Sequence, residues 1–174
     1  MGDCLLYFEN FHDVLQKPWV DKGEPVNLLY RHTQLQGFAD LILGLNLKES
    51  TGIAEVLGIP LPSDPEPAIE QTAASIRRKL ELSCVVIHPR KGAAAATPSE
   101  SAQFAGPFVE QPKISTGAGD HFNAGFCVGR LAGLTLEESL CAGVGTSGYY
   151  VRTAQSPTGK ELATFIAELP PPQS

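Results

Sequence analysis

Short apolar runs separated by amphipathic sequence constrain the fold of this chain more than any other feature. Leu41–Leu45 and Cys84–Ile87 are continuous apolar segments of strand length. Strands of this kind are buried on both faces, which is typical of a parallel sheet. Between them, four apolar residues recur at helical spacing and predict an amphipathic helix: Ile69, Ala73, Ile76 and Leu80. The alternation of strand and helix predicts an α/β fold with a mainly parallel sheet covered on both faces.

Local signals predict the remaining elements. Further strands are predicted at Leu5–Phe8, Ala93–Thr97 and Phe104–Val109, and further helices at about 28–36, 46–57, 120–131, 135–151 and 158–168. The last two helices each begin with a capping box, in which a threonine is followed three residues later by a glutamate. The pairs are Thr135 with Glu138 and Thr158 with Glu161.

Composition excludes several classes of function. A chain of 174 residues with 43% hydrophobic content suits one domain with a substantial core. Its net charge of −6 is spread over interspersed acidic and basic residues, so a nucleic-acid partner is not expected. No apolar run is long enough to cross a membrane, no signal peptide is visible, and the four cysteines are scattered. We therefore expect a cytoplasmic protein with free thiols and no membrane partner.

The most informative motif is the glycine turn Gly117-Ala118-Gly119 followed by Asp120. Glycine adopts backbone angles that are closed to other residues, so the N–H groups of this turn can converge at the start of a helix. A helix start binds anions because its first N–H groups lack partners inside the helix. Asp120 could then accept a proton from an attacking hydroxyl. The simpler interpretation is a loop followed by an acidic residue in the first helical turn.

The longer run Thr116–Phe126 resembles the C-terminal signature of the PfkB (ribokinase-like) sugar and nucleoside kinases. The resemblance implies a ribokinase-like three-layer α/β/α fold that uses ATP and Mg²⁺. It also implies an anion hole formed by Gly117, Ala118 and Gly119, with Asp120 as the catalytic base. The nucleotide contacts that it implies come from Thr116, Gly92 and Asn123.

Asn46 and Glu49 directly follow the run Leu41–Leu45 and match the family's N-x-x-E motif. Residues three apart share one helix face, so the amide and the carboxylate can face the same water shell. The resemblance implies that the pair orders Mg²⁺ through water, and Mg²⁺ retains several waters in proteins. On its own, this spacing is much more typical of a surface helix start.

The chain departs from the family pattern at three places. Ile114 stands where the family often has an aspartate or asparagine before the glycine turn, and Val144 stands near the position of a common asparagine. The Thr-x-Gly that usually follows the strand Cys84–Ile87 is replaced by a sequence containing His88 and Pro89. Proline lacks an N–H group, so this loop cannot bind phosphate in the usual way. Arg90 and Lys91 then either compensate by charge or form a solvated turn.

The resemblance covers about residues 38–168, whereas family members are roughly twice as long. It implies a divergent or truncated N-terminal segment at 1–36, the C-terminal nucleotide-binding half of a kinase at 37–169 and a disordered tail at 170–174. The sheet is then expected to be N-terminally truncated, with an exposed edge. A homodimer or a separate N-terminal half would cover that edge, and the sequence leaves both open.

The predicted function is ATP-dependent phosphoryl transfer to a hydroxyl of a sugar or related small molecule. The alternative is a non-catalytic nucleotide-binding fragment, or pseudokinase, that lacks the substrate half. The sequence does not identify the acceptor.

Overall fold

A computed structural model of the chain describes residues 40–169, together with the backbone of Leu5–Phe8. The strands are β1 (Leu5–Phe8), β2 (Asp40–Leu45), β3 (Cys84–Ile87), β4 (Gly92–Ala96) and β5 (Ser101–Ala105). The helices are α1 (Leu47–Val56), α2 (Ile69–Leu80), α3 (Ala118–Leu131), α4 (Leu136–Thr153) and α5 (Gly159–Ala167), with a 3₁₀ turn at Glu66–Ala68. The helix predicted at 28–36 and the tail predicted at 170–174 lie outside the described residues. None of the helices within the described part is long and apolar enough to cross a membrane.

The strands follow one another in the sheet in chain order, from β1 to β5. Both β1 and β3 pair with β2 in the parallel sense, with Leu5 opposite Asp40 and Ile42 opposite Cys84. Parallel neighbours need a crossover connection, and between β2 and β3 this connection contains α1 and α2. The parallel arrangement predicted from the apolar runs is therefore confirmed for these strands.

The chain divides into two compact units, of which the first comprises residues 1–87 and 95–101. In its described part, the continuous apolar runs Leu41–Leu45 and Cys84–Ile87 are buried, as expected for strands covered on both faces. Helix α2 adds a buried stripe at helical spacing: Ile69, Thr72, Ala73, Ile76 and Leu80. Each fully buried leucine or isoleucine contributes about 1.5–3 kcal/mol, so the burial of these strands and this stripe stabilises the unit.

The second unit comprises residues 88–94 and 102–174, and its main feature is the close packing of α3 against α4. Glycines allow this approach. A Cβ atom at Gly125 would lie 2.6 Å from the backbone oxygen of Ala142, and one at Gly129 would lie 2.9 Å from the Cα of Ser139. Leu136 and Leu140 of α4 and Phe126 of α3 are fully buried in this unit. The glycines that weaken helix propensity therefore serve helix packing.

One predicted strand was wrongly placed. A strand was expected at Phe104–Val109, but β5 spans Ser101–Ala105. The turn before it closes early, because the Thr97 N–H donates to the Glu100 oxygen at 2.8 Å. The strand ends early because Gly106 is followed by Pro107, which has no N–H group for a ladder. Within the described residues, the predicted positions of the other strands and helices agree with the structure to within a few residues.

Candidate functional site

Helix α3 begins at a glycine in a left-handed conformation. Gly117 is the N-cap, with φ of +84° and ψ of 0°. A residue with a side chain would be strained at this φ, and a Cβ atom here would lie 3.3 Å from the Tyr150 hydroxyl oxygen. The glycine predicted for the turn is therefore required by its backbone angles and by its surroundings.

No side chain caps α2 or α3, whereas the other three described helices cap themselves. In α1, α4 and α5 a side-chain oxygen at the N-cap accepts the N–H of the third helical residue, at 2.9 Å from Asn46, 3.2 Å from Thr135 and 3.3 Å from Thr158. The corresponding N–H in α3 belongs to Asp120 and receives no such acceptor. The start of α3 is therefore suited to an external anion.

Asp120 lies in the first turn of α3, and its side chain is exposed. An exposed carboxylate beside an uncapped helix start can accept a proton from a hydroxyl bound there. Thr116 precedes the turn and is exposed, while Asn123 lies one helical turn after Asp120 and is buried. Gly92 begins β4 in the same unit, and a Cβ atom there would meet the Phe104 oxygen at 2.5 Å.

Two polar side chains contact the glycine turn, and a third contacts one of them. His121 Nδ1 lies 2.7 Å from the Gly117 oxygen and His121 Nε2 lies 2.8 Å from Ser156 Oγ. Tyr150 donates its hydroxyl to the Thr116 oxygen at 3.0 Å. The two rings stack, with centroids 3.6 Å apart and planes 11° apart. We call His121, Tyr150 and Ser156 the turn clamp.

His88, which directly follows β3, is half-buried and neutral at neutral pH. Its ring stacks on Phe122 of α3 with centroids 4.7 Å apart. Its Nε2 is buried and has no hydrogen-bond partner among the described residues. Burial lowers the pKa of His88 to about 4, although the charge of Asp120 opposes the shift. At neutral pH the His88 ring is therefore uncharged.

Asn46 and Glu49 form a capping box at the start of α1. Asn46 donates its backbone N–H to Glu49 Oε2 at 2.8 Å, and its Oδ1 accepts the Glu49 N–H at 2.9 Å. Glu49 is 7% exposed, whereas Asn46 is exposed. The local role is thus structural, and Glu49 Oε1 takes no part in these two bonds.

The chemistry of this pair suits a hydrated magnesium ion. Within residues 40–169, no group of three His, Cys, Asp or Glu side chains is arranged to hold a metal ion directly. Mg²⁺ needs only one or two carboxylates because it retains several waters. Glu49 Oε1 and the Asn46 side-chain amide are of the right type for such a water shell.

Arg90 and Lys91 both lie against one aromatic ring. The Arg90 guanidinium carbon is 5.6 Å and the Lys91 ammonium nitrogen is 5.7 Å from the centroid of Phe108. Cation–π contacts at exposed sites contribute about 0.5–1 kcal/mol each. This contact accounts for both side chains locally, and their predicted compensation for the missing Thr-x-Gly stays a prediction.

The predicted site residues fall into two groups, one in each unit. Thr116–Asp120 form one turn, followed by Asn123 on α3, and Gly92 belongs to the same unit. Asn46 and Glu49 meet each other in the first unit. Sequence reasoning missed His88 and the turn clamp. The clamp contacts made by Tyr150 and Ser156 join residues 34 and 35 apart, so no local spacing indicates them.

A family model described as prokaryotic ketohexokinase matches residues 26–169, which is most of the sequence. The chain belongs to the prokaryotic ketohexokinase family. The ketohexokinase of Haloferax volcanii is 41% identical to this family member over 61 residues, which are 35% of this chain and 16% of the Haloferax protein. The membership agrees with the PfkB resemblance of the glycine turn.

Solved structures show that this ketohexokinase-family chain has a ribokinase-like α/β fold. The nucleoside kinase of Methanocaldococcus jannaschii, an archaeal ribokinase-family member, has a TM-score of 0.66 at 17% identity, over 96% of this chain and 49% of that one. A ribokinase of Arabidopsis thaliana in complex with ribose and ATP has a TM-score of 0.61 at 20% identity, over 80% and 52% respectively. The chain spans about half the length of these solved relatives.

Proposed function

We propose that this chain carries the phosphoryl-transfer half of a ketohexokinase, which moves the γ-phosphoryl group of ATP to a hydroxyl of a ketohexose. The supporting observation is the exposed Asp120 beside the uncapped start of α3. Membership of the prokaryotic ketohexokinase family supports both the reaction class and the acceptor.

In the proposed reaction, Asp120 accepts the proton of the sugar hydroxyl while the hydroxyl oxygen forms a bond to the γ-phosphorus. The bond between the γ-phosphorus and the β–γ bridging oxygen breaks, and ADP leaves. The N–H groups of Gly117, Ala118, Gly119 and Asp120 would stabilise the charge on the transferring group. Transfers of this kind depend mainly on positioning and electrostatic stabilisation.

Thr116, Gly92 and Asn123 are proposed to contact the nucleotide, and Asn46 and Glu49 to hold Mg²⁺ through water. A bound Mg²⁺ would neutralise negative charge on the phosphates. The Oε2 atom of Glu49 stays committed to the cap of α1, which leaves Oε1 for the water shell.

Asp120→Asn tests the proposal. Because general-base catalysis contributes about 10²–10⁴-fold, the variant should lose ATP-dependent fructose phosphorylation by that factor. Its MgATP affinity should stay within about threefold, since the amide backbone is unchanged. A coupled ADP-release assay measures the rate, and calorimetry measures the affinity. Glu137→Gln is the matched control, because it neutralises another exposed first-turn carboxylate, in α4.

Equal rates for the wild type and Asp120→Asn would contradict the role of Asp120. A wild-type chain that binds MgATP but phosphorylates no ketohexose would favour the alternative, a non-catalytic nucleotide-binding module.

A further inference from the structure

The glycine turn is contacted by side chains that lie outside Gly117–Asp120. Gly117 has a left-handed φ and no side-chain cap. The backbone supports the turn through two longer bonds, from the Ala118 N–H to the Ser115 oxygen at 3.2 Å and from the His121 N–H to the Gly117 oxygen at 3.1 Å. Glycine-rich segments lose more conformational freedom on ordering than other segments. A binding site built from such a turn binds its ligand more tightly when the surrounding residues hold the turn in place. Less conformational entropy is then lost on binding.

The turn clamp provides this support through the two carbonyl groups on the turn. Tyr150 of α4 donates to the Thr116 oxygen at 3.0 Å, and His121 Nδ1 contacts the Gly117 oxygen at 2.7 Å. Carbonyl oxygens only accept hydrogen bonds, so His121 carries its proton on Nδ1. In the neutral ring, Nε2 then accepts the hydroxyl of Ser156 at 2.8 Å.

The clamp joins the turn to the C-terminal part of α4 and to the residues that follow α4. The His121 and Tyr150 rings stack at 3.6 Å, which fixes the position of both donors. The segment before the turn is attached nearby, since Lys113 donates its N–H to the Val151 oxygen at 2.8 Å. Each peptide unit is planar, so fixing the Thr116 and Gly117 carbonyls also orients the N–H groups of Gly117 and Ala118.

We propose that His121, Tyr150 and Ser156 are positioning residues for phosphate binding, which act by holding the peptide groups of Thr116 and Gly117. This inference rests on the proposed function, because the turn is taken as the phosphate-binding element. None of the three side chains has to touch the phosphate itself.

Tyr150→Phe removes one hydrogen bond and keeps the stacked ring. A single hydrogen bond corresponds to about a 3- to 10-fold change in an equilibrium constant, so MgATP binding measured by calorimetry should weaken by about that factor. His121→Phe should act in the same direction. The MgATP affinity of the double variant should fall by less than the product of the two single fold-changes, because both bonds hold the same turn. His121→Asn, which retains a short N–H donor, should recover part of the affinity.

Tyr149→Phe is the matched control. It removes the same atom from the adjacent residue of α4, but that hydroxyl donates to Glu161 Oε1 at 3.2 Å, away from the turn. The control should show a similar change in melting temperature and unchanged MgATP affinity. Unchanged affinity in Tyr150→Phe, or an equal loss in both variants, would overturn the inference.

Hydrogen exchange at the amides of residues 116–120 separates this inference from the proposed function. Exchange should be faster in Tyr150→Phe than in the wild type and in Tyr149→Phe. If the wild type does not bind MgATP, the proposed function fails for this chain, and the exchange rates still test the clamp. Equal exchange in the three proteins would then exclude the clamp.

Discussion

Glu49 has two roles assigned to one side chain. Its Oε2 accepts the N–H of Asn46 and completes the cap of α1, and the side chain is 7% exposed. The proposed magnesium role requires its negative charge, whereas the cap requires only an acceptor atom of the right shape. Glutamine has the acceptor atom but not the negative charge, so one substitution separates the two roles.

Glu49→Gln should leave the capping box in place and weaken the use of magnesium. We expect the Mg²⁺ concentration for half-maximal MgATP binding to rise about tenfold, because a charge-assisted interaction with a cation is lost. The melting temperature should change little. Calorimetric titrations at several Mg²⁺ concentrations measure the first quantity, and thermal unfolding the second.

Glu138→Gln is the control, since Glu138 is the equivalent glutamate in the box of α4. If the two variants show the same magnesium requirement, Glu49 has only a capping role.

Single-residue features were predictable where they depend on local sequence patterns. Contacts between residues distant in sequence were not predictable. The boxes of Thr135 with Glu138 and Thr158 with Glu161 are confirmed, because their partners are three residues apart. Gly117 and Gly119 were both predicted to have special backbone angles, and φ is positive at Gly117 only, because Gly119 already lies in α3. The pairing of Tyr150 with the Thr116 carbonyl depends on how α4 packs, so nothing in the spacing indicates it.

At the scale of elements, the contact between α3 and α4 depends on missing side chains. A Cβ atom at Gly125 would lie 2.4 Å from the Thr146 hydroxyl oxygen and 2.6 Å from the Ala142 backbone oxygen. Real Cβ atoms do not approach so closely, and the backbone of Ala142 cannot move without displacing α4. The two helices could then not keep their present distance.

Gly125→Ala should therefore destabilise the protein, although alanine is the better helix former. Overpacking typically costs about 1–3 kcal/mol. Chemical denaturation should show a lower midpoint with an unchanged slope.

Gly159→Ala makes the same change in α5, where an added Cβ would meet nothing within 4 Å. This control should be neutral or slightly stabilising. A neutral Gly125→Ala would show that α3 and α4 can separate without loss.

Elements were predictable where one segment carries the signal. The predictions for β2, β3 and α2 are confirmed, because the apolar residues of each segment by themselves indicate which positions are buried. The strand β5 was misplaced, since its burial alternates and its residues are mixed. Its ends are set by the Thr97 turn and by Pro107, which compete with its intrinsic preference.

At the scale of the whole molecule, His88 links stability to pH. Its pKa is lowered from 6.5 to about 4 by burial. Between these two values the unfolded chain binds a proton that the folded chain does not. Stability therefore rises with pH in this window, and the contribution is complete above about pH 6.5 and lost as pH falls toward 4.

His88→Phe should reduce the acid sensitivity of folding, because phenylalanine retains the stack on Phe122 and does not titrate. The free energy of unfolding of the wild type, relative to this variant, should fall by about 1–3 kcal/mol between pH 7 and pH 4. Urea denaturation at several pH values measures it. Parallel profiles for the two proteins would show that His88 does not titrate abnormally.

The fold class was predictable because three scales agree: apolar runs, their alternation with helices, and the parallel pairing of β1, β2 and β3. The low pKa of His88 was not predictable, because it depends on burial by residues distant in sequence, such as Phe122. The acceptor was not predictable either, since no motif in the chain specifies one sugar.

Among the helices that the structure describes, α1, α4 and α5 complete their first turn with their own side chains, whereas α2 and α3 do not. Under the proposed function, the acceptor missing from α3 is supplied each time a nucleotide binds. The hydrogen bonds that complete the N-terminus of α3 are then made by a ligand that the gene does not encode, and they are lost whenever the product leaves.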